Sequence, residues 1–83
     1  MPHIEVYSTP NCPFCVRAKA LLKSKNLSFQ EIDVSDDVES LQKMIQLSGL
    51  RSVPQIFINN QSIGGFDKLS QMNADGDLPH LES

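Results

Sequence analysis

Positive charge is scarce in this sequence. Seven Lys and Arg stand against ten Asp and Glu, for a net charge of −3. No basic stripe is left to neutralise phosphates, so nucleic acid is not an expected partner. Long apolar runs are missing as well, and with them any candidate membrane span. The opening Met1-Pro2-His3-Ile4-Glu5-Val6 lacks the basic-then-apolar pattern of a signal peptide. The expected compartment is therefore the cytoplasm, where thiols are kept reduced. Length is limited too: 83 residues have room for a single domain, 1–83, with one compact core. Metal ligands are few. Beyond two cysteines there are only His3 and His80, near opposite ends. A structural zinc centre needs four ligands, so no metal site is predicted.

What the chain does have is a cysteine pair in one short stretch, Thr9-Pro10-Asn11-Cys12-Pro13-Phe14-Cys15. It lies between a strand-like run and a helix-like run. Ile4 to Ser8 alternates and reads as a strand. Pro13 suits a first helical position, and Cys15, Ala18, Leu21 and Leu22 recur at helical spacing, which predicts a helix over 13–24. Residues 28–34 read as a second strand. Ser35 or Asp36 is the expected cap of a second helix, with Val38, Leu41, Met44, Ile45 and Ser48 inward and Gly49 as its stop. Gln55 to Ile58 reads as a third strand. Asn59-Asn60 is suited to a tight hairpin turn, and 61–63 returns as a fourth strand. Phe66, Leu69, Met72 and Ala74 predict a third helix ended by Gly76, and 77–81 reads as one last turn. The order β-α-β-α-β-β-α implies an α/β fold: a mixed four-stranded sheet flanked by helices on both faces.

With Cys12 capping the first helix, its sulfur faces unpaired N–H groups and the positive end of the helix dipole. Both favour negative charge there, and the thiolate is the nucleophile of disulfide exchange. Cys15 lies one turn inward, on the Ala18/Leu22 face. It is placed to attack a mixed disulfide on Cys12. In isolation a CxxC reads as redox or metal chemistry; following a strand in a βαβ unit, it reads as a redox motif.

Three separated segments carry a resemblance. Cys12-Pro13-Phe14-Cys15-Val16-Arg17-Ala18-Lys19, Ser52-Val53-Pro54-Gln55-Ile56-Phe57-Ile58 and Ile63-Gly64-Gly65-Phe66-Asp67 together resemble the dithiol (class I) glutaredoxins, over nearly the whole chain. The resemblance implies a thioredoxin fold and glutathione-dependent reduction of protein disulfides and glutathione mixed disulfides. It implies Cys12 and Cys15 as catalytic residues. No cofactor is implied as bound; glutathione is the reducing co-substrate, recycled by glutathione reductase, and the chain is expected to act as a monomer. Pro54 is expected to be cis, with the Val53 main chain offered to glutathione as a short added strand. The amides of Phe66 and Asp67, beside Gly65, would take the γ-glutamyl carboxylate, and the Asp67 side chain its ammonium. Arg51 is the candidate for the glycine carboxylate. Phe14 stands where the family usually has Tyr. A lysine common before the first cysteine is absent from Ser8 to Asn11, leaving Thr9 to donate a hydrogen bond in its place. Two other functions fit the same pair: a redoxin served by thioredoxin reductase, and a carrier of a glutathione-ligated iron–sulfur cluster.

Overall fold

The computed structural model describes residues 3–78. These form β1 (Ile4–Ser8), α1 (Pro13–Ser24), β2 (Gln30–Asp33), α2 (Val38–Ser48), β3 (Gln55–Ile58), β4 (Gln61–Gly64) and α3 (Phe66–Ala74). The expected final turn at 77–81 lies largely outside the described residues.

The four-stranded sheet has the order β2-β1-β3-β4. β1 runs parallel to β2 and antiparallel to β3, and β3 is antiparallel to β4. This is the expected mixed sheet. Strand burial follows position. Every residue of the inner strand β3 is buried, whereas the edge strands β2 and β4 are exposed or half-buried. The hairpin between β3 and β4 turns on Asn59 (φ 51°) and Asn60 (φ 67°). A type I′ turn requires positive φ at both central residues, and Asn tolerates it.

Helices cover both faces. Ile4, Val6, Ile56 and Ile58 point to one side, where Ala18 and Leu22 of α1 and Leu69 of α3 pack on them. Tyr7 and Phe57 point to the other, against Met44 of α2. The two rings meet edge to face, with centroids 5.3 Å apart. Burial of Leu22, Ile56 and Leu69, each 0% exposed, contributes about 1.5–3 kcal/mol apiece.

Three details differ from expectation. α2 is capped by Asp37, not by Ser35 or Asp36: its Oδ1 accepts from the Ser40 N–H at 3.2 Å. Ser35 is engaged earlier, donating its N–H and hydroxyl to Asp33 Oδ1. Those local bonds hold 33–35 in a turn, so the helix begins later. Val38 then falls in the first turn of α2 and is 67% exposed rather than inward. β2 is shorter than 28–34, because its pairing with β1 covers only Gln30 to Asp33.

Candidate active site

The antiparallel pairing of β1 with β3 sets Tyr7 opposite Gln55. The C-terminal end of β1, which leads to Cys12, therefore meets the N-terminal end of β3, which follows Val53 and Pro54. Cys12 is the N-cap of α1, in extended conformation, with Pro13 starting the helix. Its Sγ accepts the Cys15 N–H at 3.1 Å. That donor stabilises negative charge on the sulfur. On its other side, the Cys12 thiol reaches the Val53 carbonyl at 3.7 Å. The Val53–Pro54 peptide bond is cis.

The two sulfurs differ in environment. Both are free thiols; Cys12 is half-buried and Cys15 fully buried. Burial pushes the Cys15 thiol up to about 12, and the hydrogen bond with Cys12 acts the same way. The main chain of Thr9 and the charge of Lys19 pull in the opposite direction. Cys15 thus rests as a thiol.

A groove of about 350 Å³ is lined by Phe14, Val53, Pro54, Gly65, Phe66 and Asp67, together with Leu50, Ser52, Gln55 and Lys68. The first six are residues singled out in the sequence. Arg51 and Thr9 are not part of this lining. Phe14 and Phe66 face each other at 6.1 Å between centroids, and the Arg17 guanidinium lies 5.4 Å from the Phe14 ring. Gly65 caps α3 without a side chain, so the first-turn amides are left open to the groove's end. A Cβ added at Gly65 would stand 3.4 Å from the Pro54 carbonyl, which shows how closely α3 approaches this segment.

Two groupings escaped the sequence reading. Gln55 is buried, and its Nε2 donates to the Ser52 carbonyl at 2.9 Å and to the Ser52 hydroxyl at 3.2 Å. Its Oε1 is buried without a partner among the described residues. Separately, Lys19 Nζ and Ser8 Oγ both donate to Glu31 Oε2, at 2.7 and 2.9 Å. The Lys19 bond, then the Ser8 bond, hold the Glu31 carboxyl below the usual range. Ser52, Gln55 and Lys19 lie in the segments that carry the resemblance, but nothing in the sequence signals these contacts, which the fold alone assembles.

The glutaredoxin family model matches residues 4–63. The chain is 47% identical over 81 residues to Glutaredoxin 3 of Escherichia coli (strain K12), covering 98% of each chain. It is 46% identical over 79 residues to a probable glutaredoxin of Synechocystis, covering 94% of this chain and 90% of that one. The buckwheat glutaredoxin–glutathione complex is similar in structure, with a TM-score of 0.82 at 29% identity over 90% of this chain and 71% of that chain. A glutaredoxin from Brucella melitensis has a TM-score of 0.78 at 42% identity, covering 89% of this chain and 80% of the other. A cysteine pair that caps and enters α1 is the equipment of thiol–disulfide exchange, and the chain belongs to the glutaredoxin family of thiol–disulfide oxidoreductases, built on the thioredoxin fold.

Proposed function

We propose that the protein reduces protein disulfides and glutathione mixed disulfides at the expense of glutathione. The observation that carries this reading is the position of the Cys12 sulfur, between the Cys15 N–H at 3.1 Å and the Val53 carbonyl at 3.7 Å. A disulfide substrate that reaches Cys12 therefore also meets the main chain of Val53. The glutathione complex of the buckwheat relative lends support.

Cys12 thiolate attacks the sulfur of a glutathionyl group and expels the protein thiolate, which takes up a proton. The Cys12–glutathione disulfide is then opened by a second glutathione, which leaves as glutathione disulfide. With a protein disulfide, Cys12 takes one half of the bond and Cys15 attacks Cys12, releasing the protein dithiol. Two glutathiones reduce the resulting Cys12–Cys15 bond. Once Cys12 is in a disulfide it has no S–H, and the Val53 carbonyl is free to accept an N–H from the cysteinyl part of glutathione. The γ-glutamyl carboxylate is taken by the amides of Phe66 and Asp67, and its ammonium by the Asp67 carboxylate. Lys68, in the groove lining, adds a cation at that end. Arg51, one residue before Ser52, is the cation for the glycine carboxylate. A cytoplasmic monomer fed by glutathione reductase fits this reading. Among the described residues, no helix is long and apolar enough to cross a membrane.

The test is a glutathione mixed-disulfide reductase assay on wild type, Cys12→Ser and Cys15→Ser, coupled in turn to glutathione reductase and thioredoxin reductase. Cys12→Ser should be inactive, and Cys15→Ser should keep deglutathionylation while losing protein-disulfide reduction. Turnover by Cys12→Ser, or coupling to thioredoxin reductase alone, would overturn the reading.

A further inference from the structure

Cys15 has a physical difficulty to overcome in the resolving step. It is fully buried, and burial opposes the thiolate it must become. A cation close by would relieve this. Lys19 follows Cys15 by four residues in α1, so the two are neighbours along the helix. An unrestrained lysine there would extend into water. Lys19 is instead drawn onto the edge strand of the sheet: its Nζ donates to Glu31 Oε2 of β2 at 2.7 Å, and only 23% of its side chain is exposed. The same oxygen accepts from Ser8 Oγ at 2.9 Å. Ser8 is buried at the end of β1, the strand that leads into the Cys12–Cys15 segment. α1, β1 and β2 thus meet at one carboxylate and fix where the ammonium sits, on a side chain one helical turn from the resolving cysteine.

We propose that Lys19, docked on Glu31 and Ser8, is a positioning residue for the resolving step, its ammonium steadying the Cys15 sulfur as that sulfur gives up its proton and attacks. The inference rests on the dithiol reading above. In the step itself, Cys12 is joined to glutathione by a disulfide. The Cys15 thiol loses its proton to solvent, and its thiolate forms a bond to the Cys12 sulfur. The Cys12–glutathione bond breaks, and the expelled glutathione thiolate takes up a proton. The cysteine pair ends as a disulfide and glutathione as a thiol, so two electrons pass from the protein.

Single-turnover oxidation separates this step from the first. Reduced protein is mixed with oxidised glutathione, quenched in acid, and followed by mass through the glutathionylated intermediate to the internal disulfide. Removing the cation lowers the Cys15 thiolate fraction. A tenfold fall, offset by the greater nucleophilicity of the more basic sulfur, slows the second step about threefold. Lys19→Gln should show that slowing with the first step unchanged. Lys19→Glu should slow the second step further, and Lys19→Arg should restore it. Glu31→Ala should slow it too, with no added effect in the double variant with Lys19→Gln. A second step at the wild-type rate in Lys19→Gln overturns the proposal. So does equal slowing of both steps, which would mark a general disturbance of α1. Failure of wild type to pass to the internal disulfide, or full protein-disulfide reduction by Cys15→Ser, would instead overturn the dithiol reading itself.

Discussion

The Cys12 sulfur lies 3.7 Å from the Val53 carbonyl oxygen, across 41 residues of sequence. In the thiol state the S–H occupies that carbonyl; a thiolate has no proton to offer it. Ionisation of the Cys12 sulfur therefore leaves the Val53 carbonyl free to accept another donor. On the proposed reading, exchange chemistry and strand-like recognition would be coupled through this one oxygen.

Gln55 holds the segment that carries Val53. Gln55→Leu strips the Ser52 carbonyl of its donor and removes the partnerless Oε1 at the same time. The two effects partly cancel, so the expected loss of stability is about 1 kcal/mol. The kinetic effect should be larger: KM for a glutathionylated peptide rising roughly fivefold with kcat nearly constant, because a loosened strand weakens binding by about 1 kcal/mol. Steady-state kinetics alongside urea unfolding will separate the two; a fall in kcat with KM unchanged would contradict this role.

The two adjacent glycines should respond differently to alanine. Gly64 has φ 118°, and an added Cβ would stand 3.3 Å from the Lys68 Cβ. Gly64→Ala should cost about 1–3 kcal/mol in urea unfolding. Gly65 has φ −91°, which any residue adopts, and its added Cβ would only touch the Pro54 carbonyl. Gly65→Ala should change stability by less than about 1 kcal/mol while raising KM, since the methyl narrows the groove. Equal stability losses would refute the distinction.

Stability at alkaline pH should carry the mark of Cys15. Its ordinary value is 9.0, and burial raises it to about 12 in the folded chain. Between these values the unfolded chain has lost a proton that the folded chain retains. The unfolded state then binds fewer protons, so stability falls as pH rises. The contribution is fully present below pH 9 and is lost progressively towards 12. Tyr7, also raised by burial, adds to the slope at its upper end. Urea midpoints of the reduced protein from pH 8 upward should therefore fall more steeply for wild type than for Cys15→Ala. Parallel lines would count against the buried-thiol assignment.

The α2 face of the sheet rests on few side chains. Met44 is 0% exposed and packs with Tyr7, Val34 and Phe57. Met44→Ala should cost about 2–5 kcal/mol, measured by chemical unfolding. A cost below 1 kcal/mol, by the same scale, would mean that this face collapses readily around the gap.

The sequence revealed most where one residue type satisfies a local demand. Pro13 starts α1, Asn59-Asn60 turns the hairpin and Gly49 ends α2 at φ 77°, each for a reason contained in a few residues. The consecutive apolar residues Ile56, Phe57 and Ile58 of β3 likewise announced a sheet covered on both faces. Competition between local bonds was harder to read. Asp33 and Asp37 both could organise the turn before α2, and only the folded chain reveals that Asp33 takes Ser35 and leaves the cap to Asp37. Groupings assembled by the sheet were hidden altogether. Ser8, Lys19 and Glu31 are ordinary polar residues until β2 pairs with β1. Leu50 and Lys68 stand outside the recognised motifs, and only the approach of α3 to the segment before β3 makes them walls of one groove.

The pairing of Tyr7 with Gln55 acts as a ruler for the chemistry. A slip of one residue between β1 and β3 would carry Val53 about 3.3 Å along the strand direction, far enough to part its carbonyl from the sulfur. It would also part Val6 from Ile56, which now share a face, and set one strand's apolar side chains against the wrong helix layer, since alternate residues face opposite sides. The apolar core tolerates one alignment of these strands. Reactive geometry is thus policed by oil and water rather than by any residue of the groove: a chain aligned wrongly for exchange is also a chain that does not fold.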